Sequence, residues 1–261
     1  MFRWNVFGWA LLTTLLLQVL SNFANDYGDT RNGADSGERI GPVRAVQSGE
    51  ITEKQMITAI VITATAAFIS GICLLYTAFG GFSSFYFRLF VGLGLLAIAA
   101  AYTYTAGKRP YGYAGLGDLS VFLFFGIVGV TGSYFLHTLH FEWALLLPAA
   151  ACGALATAVL NINNIRDMAS DEKAGKITLP VRLGREKAGV YHWFLLVLAM
   201  AATVAYISLK NGNWYYLVSF PLLVMNGVQV SRKGNPDPYL KTMALSSLAF
   251  VLTFGLSLVF R

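Results

Sequence analysis

Met56-Ile-Thr-Ala-Ile-Val-Ile-Thr-Ala-Thr-Ala-Ala-Phe-Ile-Ser-Gly-Ile-Cys-Leu-Leu-Tyr-Thr-Ala-Phe79 contains no charged side chain. A helix rising about 1.5 Å per residue needs about 20 such residues to cross about 30 Å of hydrocarbon. The run is continuous rather than alternating, so it reads as a helix and not as a strand of a membrane barrel. Seven more stretches share its character: Trp4–Ser21, Phe85–Tyr104, Leu119–Leu136, Trp143–Asn161, Val190–Leu209, Trp214–Val230 and Thr242–Phe260. Composition agrees, with 56% apolar and 12% charged residues, against about 25% charged in soluble domains. The expected fold is an all-α membrane protein, a bundle of eight transmembrane helices that no linker divides.

A net charge of +6 raises nucleic acid as a partner, but the distribution of charge excludes it. Counted by alternate loops, 15 Lys and Arg fall on one side and four (Arg3, Arg88, Lys210 and Arg261) on the other. The positive-inside rule makes the rich side cytoplasmic. The expected location is therefore the cytoplasmic (inner) membrane, with the polar loops facing the cytoplasm. That topology sets Met1 outside without a cleavable signal peptide, so a further helix is expected before it. Cys73 and Cys152 lie inside predicted spans without His or Cys at ligand spacing, and read as packing residues.

Sliding the chain on itself by 138 residues aligns Asn25 with Asn163 and Asp29 with Asp167. The same shift aligns Pro42-Val43-Arg44 with Pro180-Val181-Arg182. Two pseudo-repeated halves place a site between them. Asn163, Asp167 and Asp171 recur every four residues, which on a continuing helix is one face. Neighbouring carboxylates repel unless a cation sits among them, and oxygen-only donors suit Mg²⁺. The first half offers Asn25, Asp26, Asp29 and Asp35. The expected metal ligands are Asp26, Asp29, Asp35, Asp167 and Asp171. Basic residues interleave with these acids, and together they suit a diphosphate clamp. The expected diphosphate ligands are Asn25, Arg39, Arg44, Lys108, Arg109, Asn163, Arg166, Lys176 and Arg182. Glu38, Glu50, Glu53, Glu172 and Glu186 have no counterpart in the other half and read as a solvated face.

At these residues the chain resembles the UbiA superfamily of intramembrane aromatic prenyltransferases. Asn163-x₃-Asp167-x₃-Asp171 fits the superfamily's Asp-rich motif as written. Asn25-x₃-Asp29 fits its first half, but Gly33 stands where the next Asp is expected and Asp35 lies two further on. Tyr104-Thr-Ala-Gly-Lys108-Arg109 resembles the superfamily's Tyr-x₃-Lys-Arg segment. Within the superfamily the likeness is to the branch whose acceptor is 1,4-dihydroxy-2-naphthoate. It is carried by Ser21-Asn-Phe-Ala-Asn-Asp-Tyr-Gly-Asp29, Arg39-Ile-Gly-Pro-Val-Arg44, Arg109-Pro-Tyr-Gly-Tyr-Ala-Gly-Leu-Gly-Asp118, Leu160-Asn-Ile-Asn-Asn-Ile-Arg-Asp167 and Thr178-Leu-Pro-Val-Arg-Leu-Gly184.

The resemblance implies a nine-helix fold, of which residues 1–261 form a single prenyltransferase domain without the first helix. It also implies Mg²⁺ as cofactor, a polyprenyl diphosphate donor and loss of CO₂ from the acceptor, giving demethylmenaquinone in menaquinone synthesis. Tyr104 would steady an allylic cation through its ring face. Asp118 would take a phenolic proton or orient the acceptor, although an Asp at a helix start is equally an N-cap. Two other readings stay open. One is a UbiA-type enzyme with another acceptor (4-hydroxybenzoate, haem or a sugar phosphate). The other is an ion-coupled transporter, although carriers set their acids near the bilayer midplane. His137, His140 and His192 read as non-catalytic.

Overall fold

The computed structural model describes residues 2–35 and 41–260, and these are helices joined by short loops, without a strand among them. Seven helical segments are long and apolar enough to cross a membrane: Trp4–Arg31, Glu53–Phe79, Phe85–Thr103, Gly117–Thr138, Trp143–Arg166, Arg185–Lys210 and Pro238–Val259. Their outward faces are Leu, Val, Ile and Phe, with Val61, Ile62, Leu96, Phe194 and Leu252 all more than half exposed. Apolar surface on that scale is unsustainable in water; the chain is an integral membrane protein. Trp4, Trp143 and Trp214 are exposed near helix ends, where aromatic rings favour the membrane interface.

The eighth expected span, Trp214–Val230, is built differently. It begins as a 3₁₀ turn, Trp214–Ser219, and only Phe220–Ser231 is α-helical. Pro221 lies in the first turn of that helix, where its missing N–H costs nothing.

The chain folds as two compact units. The first contains α1 (Trp4–Arg31), α2 (Glu53–Phe79), α3 (Phe85–Thr103), the loop 104–117, and residues 133–141 and 173–176. A capping box starts α2: the Gln55 amide donates to Thr52 Oγ1 at 3.3 Å, and the Thr52 amide donates to Gln55 Oε1 at 2.9 Å. Two of the four otherwise unpaired N–H groups are thereby satisfied. Gly80, with φ of 72°, closes the helix. Arg3 donates from Nη1 to the Ala78 carbonyl at 2.9 Å and from Nη2 to that of Thr77, so a cation sits at the negative end of α2. Leu20, Tyr27, Met56, Ile60 and Ala106 form the core beneath the polar end of α1.

The second unit takes residues 118–132, 142–172 and 177–261. The segment Gly117–Thr138 comprises α4 (Gly117–Val121), a π-helical stretch Phe122–Thr131, and α5 (Gly132–Thr138). It is followed by α6 (Leu146–Arg166), α7 (Met168–Lys173), α8 (Leu179–Leu183), α9 (Arg185–Lys210), α10 (Phe220–Ser231) and α11 (Pro238–Val259). The span ending in α6 has 61% of its apolar window buried, more than any other span. It owes that place to small side chains: Ala149, Ala151, Gly153, Ala154 and Ala158 are all buried. A Cβ on Gly126 would stand 2.5 Å from the Ala149 carbonyl and 2.7 Å from Gly153 Cα. Close backbone approach of this kind is how helices associate without a hydrophobic gradient.

His192, on α9, is fully buried against α6 and α10. Its Nε2 pairs with Asn226 Oδ1 at 3.0 Å, and Asn226 Nδ2 donates to the Tyr239 carbonyl at 3.0 Å and to Thr242 Oγ1 at 3.1 Å. It is a structural residue: the network fixes α9, α10 and α11 to one another.

Candidate functional site

The polar residues expected in a loop after Ser21 are on a helix. α1 continues to Arg31 and carries Asn25, Asp26 and Asp29 on its last turns. Hydropathy marks where a helix leaves hydrocarbon, not where its hydrogen bonding stops. The helix ends when Gly33, at φ of 79°, reverses the chain: the Gly33 amide donates to the Thr30 carbonyl (3.2 Å) and the Ala34 amide to that of Asp29 (2.9 Å). These two bonds are a Schellman motif, whose left-handed position suits glycine. The reversal folds Asp35 back over the end of α1. It therefore joins Asp29 despite breaking the four-residue spacing: Arg44 reaches Asp35 Oδ2 through Nε at 3.1 Å and Asp29 Oδ2 through Nη2 at 3.4 Å.

Asp29 is 3% exposed. A buried carboxylate is stable only when paired and hydrogen-bonded, and Asp29 is both. Lys176 Nζ lies 3.2 and 3.3 Å from its two oxygens, and the Tyr113 hydroxyl donates to Oδ1 at 3.0 Å. The same ammonium stands 5.5 Å from the centre of the Tyr113 ring, within cation–π range. Asp26 accepts the amides of Ala45 (3.1 Å) and Val46 (3.3 Å), so it caps the turn that presents Arg44. Gly28 lets the loop after α3 lie directly on α1, since a Cβ there would meet the Thr105 backbone at 2.5 Å. Thr105 then donates to the Ala24 carbonyl at 2.9 Å and to Asn25 Oδ1 at 3.2 Å.

In the second unit the four-residue stripe forms although α6 stops at Arg166. The Asp167 amide donates to the Asn163 carbonyl (3.0 Å) and the Asp171 amide to the Asp167 carbonyl (2.8 Å), which carries the helical register across the junction into α7. Asp171 is buried at 3% exposure, and Asp167 is half-buried. Arg166 holds Asp167 with a two-pronged contact, Nε to Oδ1 at 2.8 Å and Nη2 to Oδ2 at 2.7 Å. Its remaining Nη1 donates to Asp237 Oδ1 at 2.7 Å.

The two Pro-Val-Arg copies differ in conformation. Residues 42–44 are non-helical and lead into the turn capped by Asp26, whereas 180–182 lie within α8. Arg44 is engaged by Asp29 and Asp35, while Arg182, Lys108 and Arg109 are exposed. Arg39 falls outside the described residues. Tyr104 packs in its own loop: a Cβ on Gly112 would stand 3.0 Å from its ring and one on Gly117 3.1 Å, and the ring stands edge-on to Tyr111 at 5.4 Å. The aromatic side chain that reaches Asp29 is instead Tyr113. Tyr113 and Asp237 went unrecognised in the sequence. Tyr113 belongs to the Arg109-Pro-Tyr-Gly-Tyr segment singled out there, and that was its available signal. Asp237 lies 71 residues beyond Arg166, and no local spacing announces it.

Asp118 is 8% exposed and belongs to the second unit, where it lines a cleft with Phe122, Thr157, Tyr191 and Phe194. Its carboxylate is hydrogen-bonded by Tyr191.

Among the described residues no three His, Cys, Asp or Glu side chains gather closely enough to hold a metal by themselves. That arrangement suits Mg²⁺ no less, because this ion keeps waters and commonly takes one or two carboxylates plus substrate phosphates. The donors present, Asp29 with Asp35 and Asp167 with Asp171, are all oxygen, the class that hard cations prefer.

The model of the UbiA prenyltransferase family matches residues 1–257. The chain is 46% identical to a 1,4-dihydroxy-2-naphthoate octaprenyltransferase of Haemophilus influenzae, over 95% of this chain and 82% of that one. It is 46% identical to the octaprenyltransferase of that name from Escherichia coli, over 95% and 83% of the two chains. A Mycobacterium tuberculosis protein of the same name is 35% identical over 96% and 84%. A match across nearly the whole length includes every polar segment described above. The chain belongs to the UbiA prenyltransferase family.

Proposed function

We propose that this chain transfers a polyprenyl group from polyprenyl diphosphate to 1,4-dihydroxy-2-naphthoate, with loss of CO₂, in menaquinone synthesis. The observation that carries this reading is the 46% identity over 95% of the chain to proteins named for that acceptor. Mg²⁺ would be held by Asp29 and Asp35 in the first unit and by Asp167 and Asp171 in the second, with Asp26 supporting the first pair. Bound there, it would neutralise charge on the departing diphosphate.

The chain's own residues supply the rest. Lys176 and Arg44 set two cations beside Asp29, and a diphosphate that approaches this carboxylate meets them at once. Tyr113 holds Asp29 by its hydroxyl and Lys176 by its ring face, which fixes both charges before substrate arrives. Arg166 fixes the rotamer of Asp167 from one edge and is itself fixed by Asp237. Lys108, Arg109 and Arg182 are exposed, where they can meet the donor's phosphates from solvent. The polyprenyl tail lies in the bilayer against the apolar helix faces. The charge asymmetry of the loops supports an inner-membrane protein whose polar site faces the cytoplasm.

The deciding experiment supplies dihydroxynaphthoate and a polyprenyl diphosphate to membranes containing the protein, with Mg²⁺ or with EDTA, for wild type and Asp167→Ala. Metal-dependent prenylated naphthoquinol that vanishes in the variant is the expected result. Prenylation of 4-hydroxybenzoate instead would keep the family and overturn the acceptor.

A further inference from the structure

In the second unit, exposed cations gather at the start of α9, the end of α10 and the start of α11, which are neighbouring helices. α9 carries a stripe of Val190, Phe194 and Val197, all more than half exposed, and exposed Lys187 stands three residues before it. α11 carries Leu245, Leu248 and Leu252, also more than half exposed, with exposed Lys241 four residues before them. Spacings of three and four residues keep each cation on the face of its stripe. On α10 the exposed Met225 and Val228 lead to Arg232 and Lys233, both exposed, just past the last turn. Apolar faces of this kind lie in lipid, so the cations at their ends stand at headgroup level.

The loop after α10 is fastened to the start of α9. Arg185 donates from Nη2 to the Val230 carbonyl at 2.6 Å and to the Arg232 carbonyl at 2.5 Å. Gly234, at φ of 123°, then turns the chain, and the Asn235 side chain accepts the Asp237 amide at 3.0 Å. Segments 185–187 and 232–241 hold five cations, Arg185, Lys187, Arg232, Lys233 and Lys241, against two acids, Glu186 and Asp237. Asp237 is already bonded to Arg166. The side chains of Lys187, Arg232, Lys233 and Lys241 make no ion pair among the described residues.

Unpaired cations at the ends of lipid-facing stripes call for a partner that carries an anion and an apolar tail in one molecule. A soluble anion would meet the cations and leave the stripes untouched. A zwitterionic lipid brings a cation of its own against them. We infer that this edge of the second unit is a docking surface for anionic phospholipid. The headgroup phosphate sits among Lys187, Arg232 and Lys233, and the acyl chains run down the stripes below. Basic surfaces between spanning helices hold anionic headgroups in this way, each cation contributing about fivefold in affinity. The inference is independent of which donor and acceptor the protein uses.

Trp193 is a built-in reporter, because it is partly exposed two turns into α9 and its ring lies on α10, where a Cβ on Gly227 would stand 2.8 Å from it. The test places the full chain, with Trp4, Trp9, Trp143 and Trp214 changed to Phe, in phosphatidylcholine bilayers. Quenching of Trp193 is then compared for brominated phosphatidylglycerol and brominated phosphatidylcholine at the same mole fraction. The anionic lipid should quench as though enriched at least about fivefold around the tryptophan. Combined Lys187→Gln, Arg232→Gln and Lys233→Gln should erase that excess, and Lys54→Gln, an exposed cation of the first unit, should leave it intact. Native mass spectrometry of the unsubstituted chain, released from mixed bilayers, should show retained phosphatidylglycerol and little phosphatidylcholine. Equal quenching by the two lipids would overturn the proposal and leave these cations to an acidic protein. An excess that survives in the triple variant, or that Lys54→Gln removes equally well, would overturn it in favour of a diffuse surface charge.

Discussion

Lys176 and Asp29 are 147 residues apart in sequence, and the ammonium of one lies 3.2 Å from the carboxylate of the other. Both are more than nine-tenths buried, and each offers the other the opposite charge that a buried ion requires. Lys176 comes five residues after Asp171, at the end of the second Asp-rich segment. Its partner is the central acid of the first.

Lys176→Met removes that cation while keeping most of the side-chain volume. Charged hydrogen bonds contribute about 1.5–3 kcal/mol, so kcat/KM for the polyprenyl diphosphate should fall about 10- to 100-fold, chiefly through KM. Steady-state kinetics with donor varied at saturating acceptor measure this. An unchanged KM would remove Lys176 from the diphosphate site.

Tyr113 and Tyr104 are separated by the same experiment. Tyr113→Phe deletes the hydroxyl that donates to Asp29 at 3.0 Å and should lower kcat/KM about tenfold, since the acceptor left behind is a buried carboxylate. Tyr104→Phe keeps the ring on its two glycines and should cost less than threefold. The reverse order would restore Tyr104 to the leading role expected from the sequence.

Two glycines on the first unit predict opposite kinds of damage. Gly28→Ala forces a Cβ to 2.5 Å from the Thr105 backbone. Overpacking of that kind costs about 1–3 kcal/mol, and it should lower thermal stability and activity together. Gly33 has open space around it but φ of 79°. Gly33→Ala should cost about 1 kcal/mol in stability, and Gly33→Asn distinctly less, because Asn tolerates the left-handed region. Thermal denaturation in detergent ranks the three.

Metal removal and loss of Asp167 should coincide. EDTA is expected to abolish product formation, and Asp167→Ala to lower it by at least a hundredfold at any Mg²⁺ concentration. Asp237→Asn, which frees only the far edge of Arg166, should reduce activity about tenfold, with Asp237→Glu restoring most of it. Titrating Mg²⁺ against product formation for each variant measures both effects. An Asp167→Ala enzyme with wild-type metal dependence would detach the second carboxylate set from the metal.

The buried His192 tests stability alone. Asn226→Leu strands the imidazole that it pairs with at 3.0 Å, and interhelical bonds of this kind contribute about 0.6–1.7 kcal/mol in membranes. Unfolding in mixed detergent should register a loss of about 1–2 kcal/mol, with kcat in the folded fraction unchanged.

The sequence alone determined the membrane helices, the Asn/Asp/Arg segments and the family, because hydrocarbon thickness and oxygen-donor chemistry act on contiguous residues. It also marked Asp29, Asp167, Arg44 and Arg182 as belonging together, through a repeat that needs no coordinates. Tertiary structure alone decided what each of them touches. That α1 runs on past Ser21, that Gly33 folds Asp35 back to Asp29, and that Tyr113 and Lys176 meet the same carboxylate all depend on chain reversals between residues far apart. Asp237 completes Arg166 across 71 positions, and Asp118 gains its cleft from three separate spans. Such pairings are set by helix packing and loop closure, which follow the summed fit of many side chains and leave no period in the sequence to read.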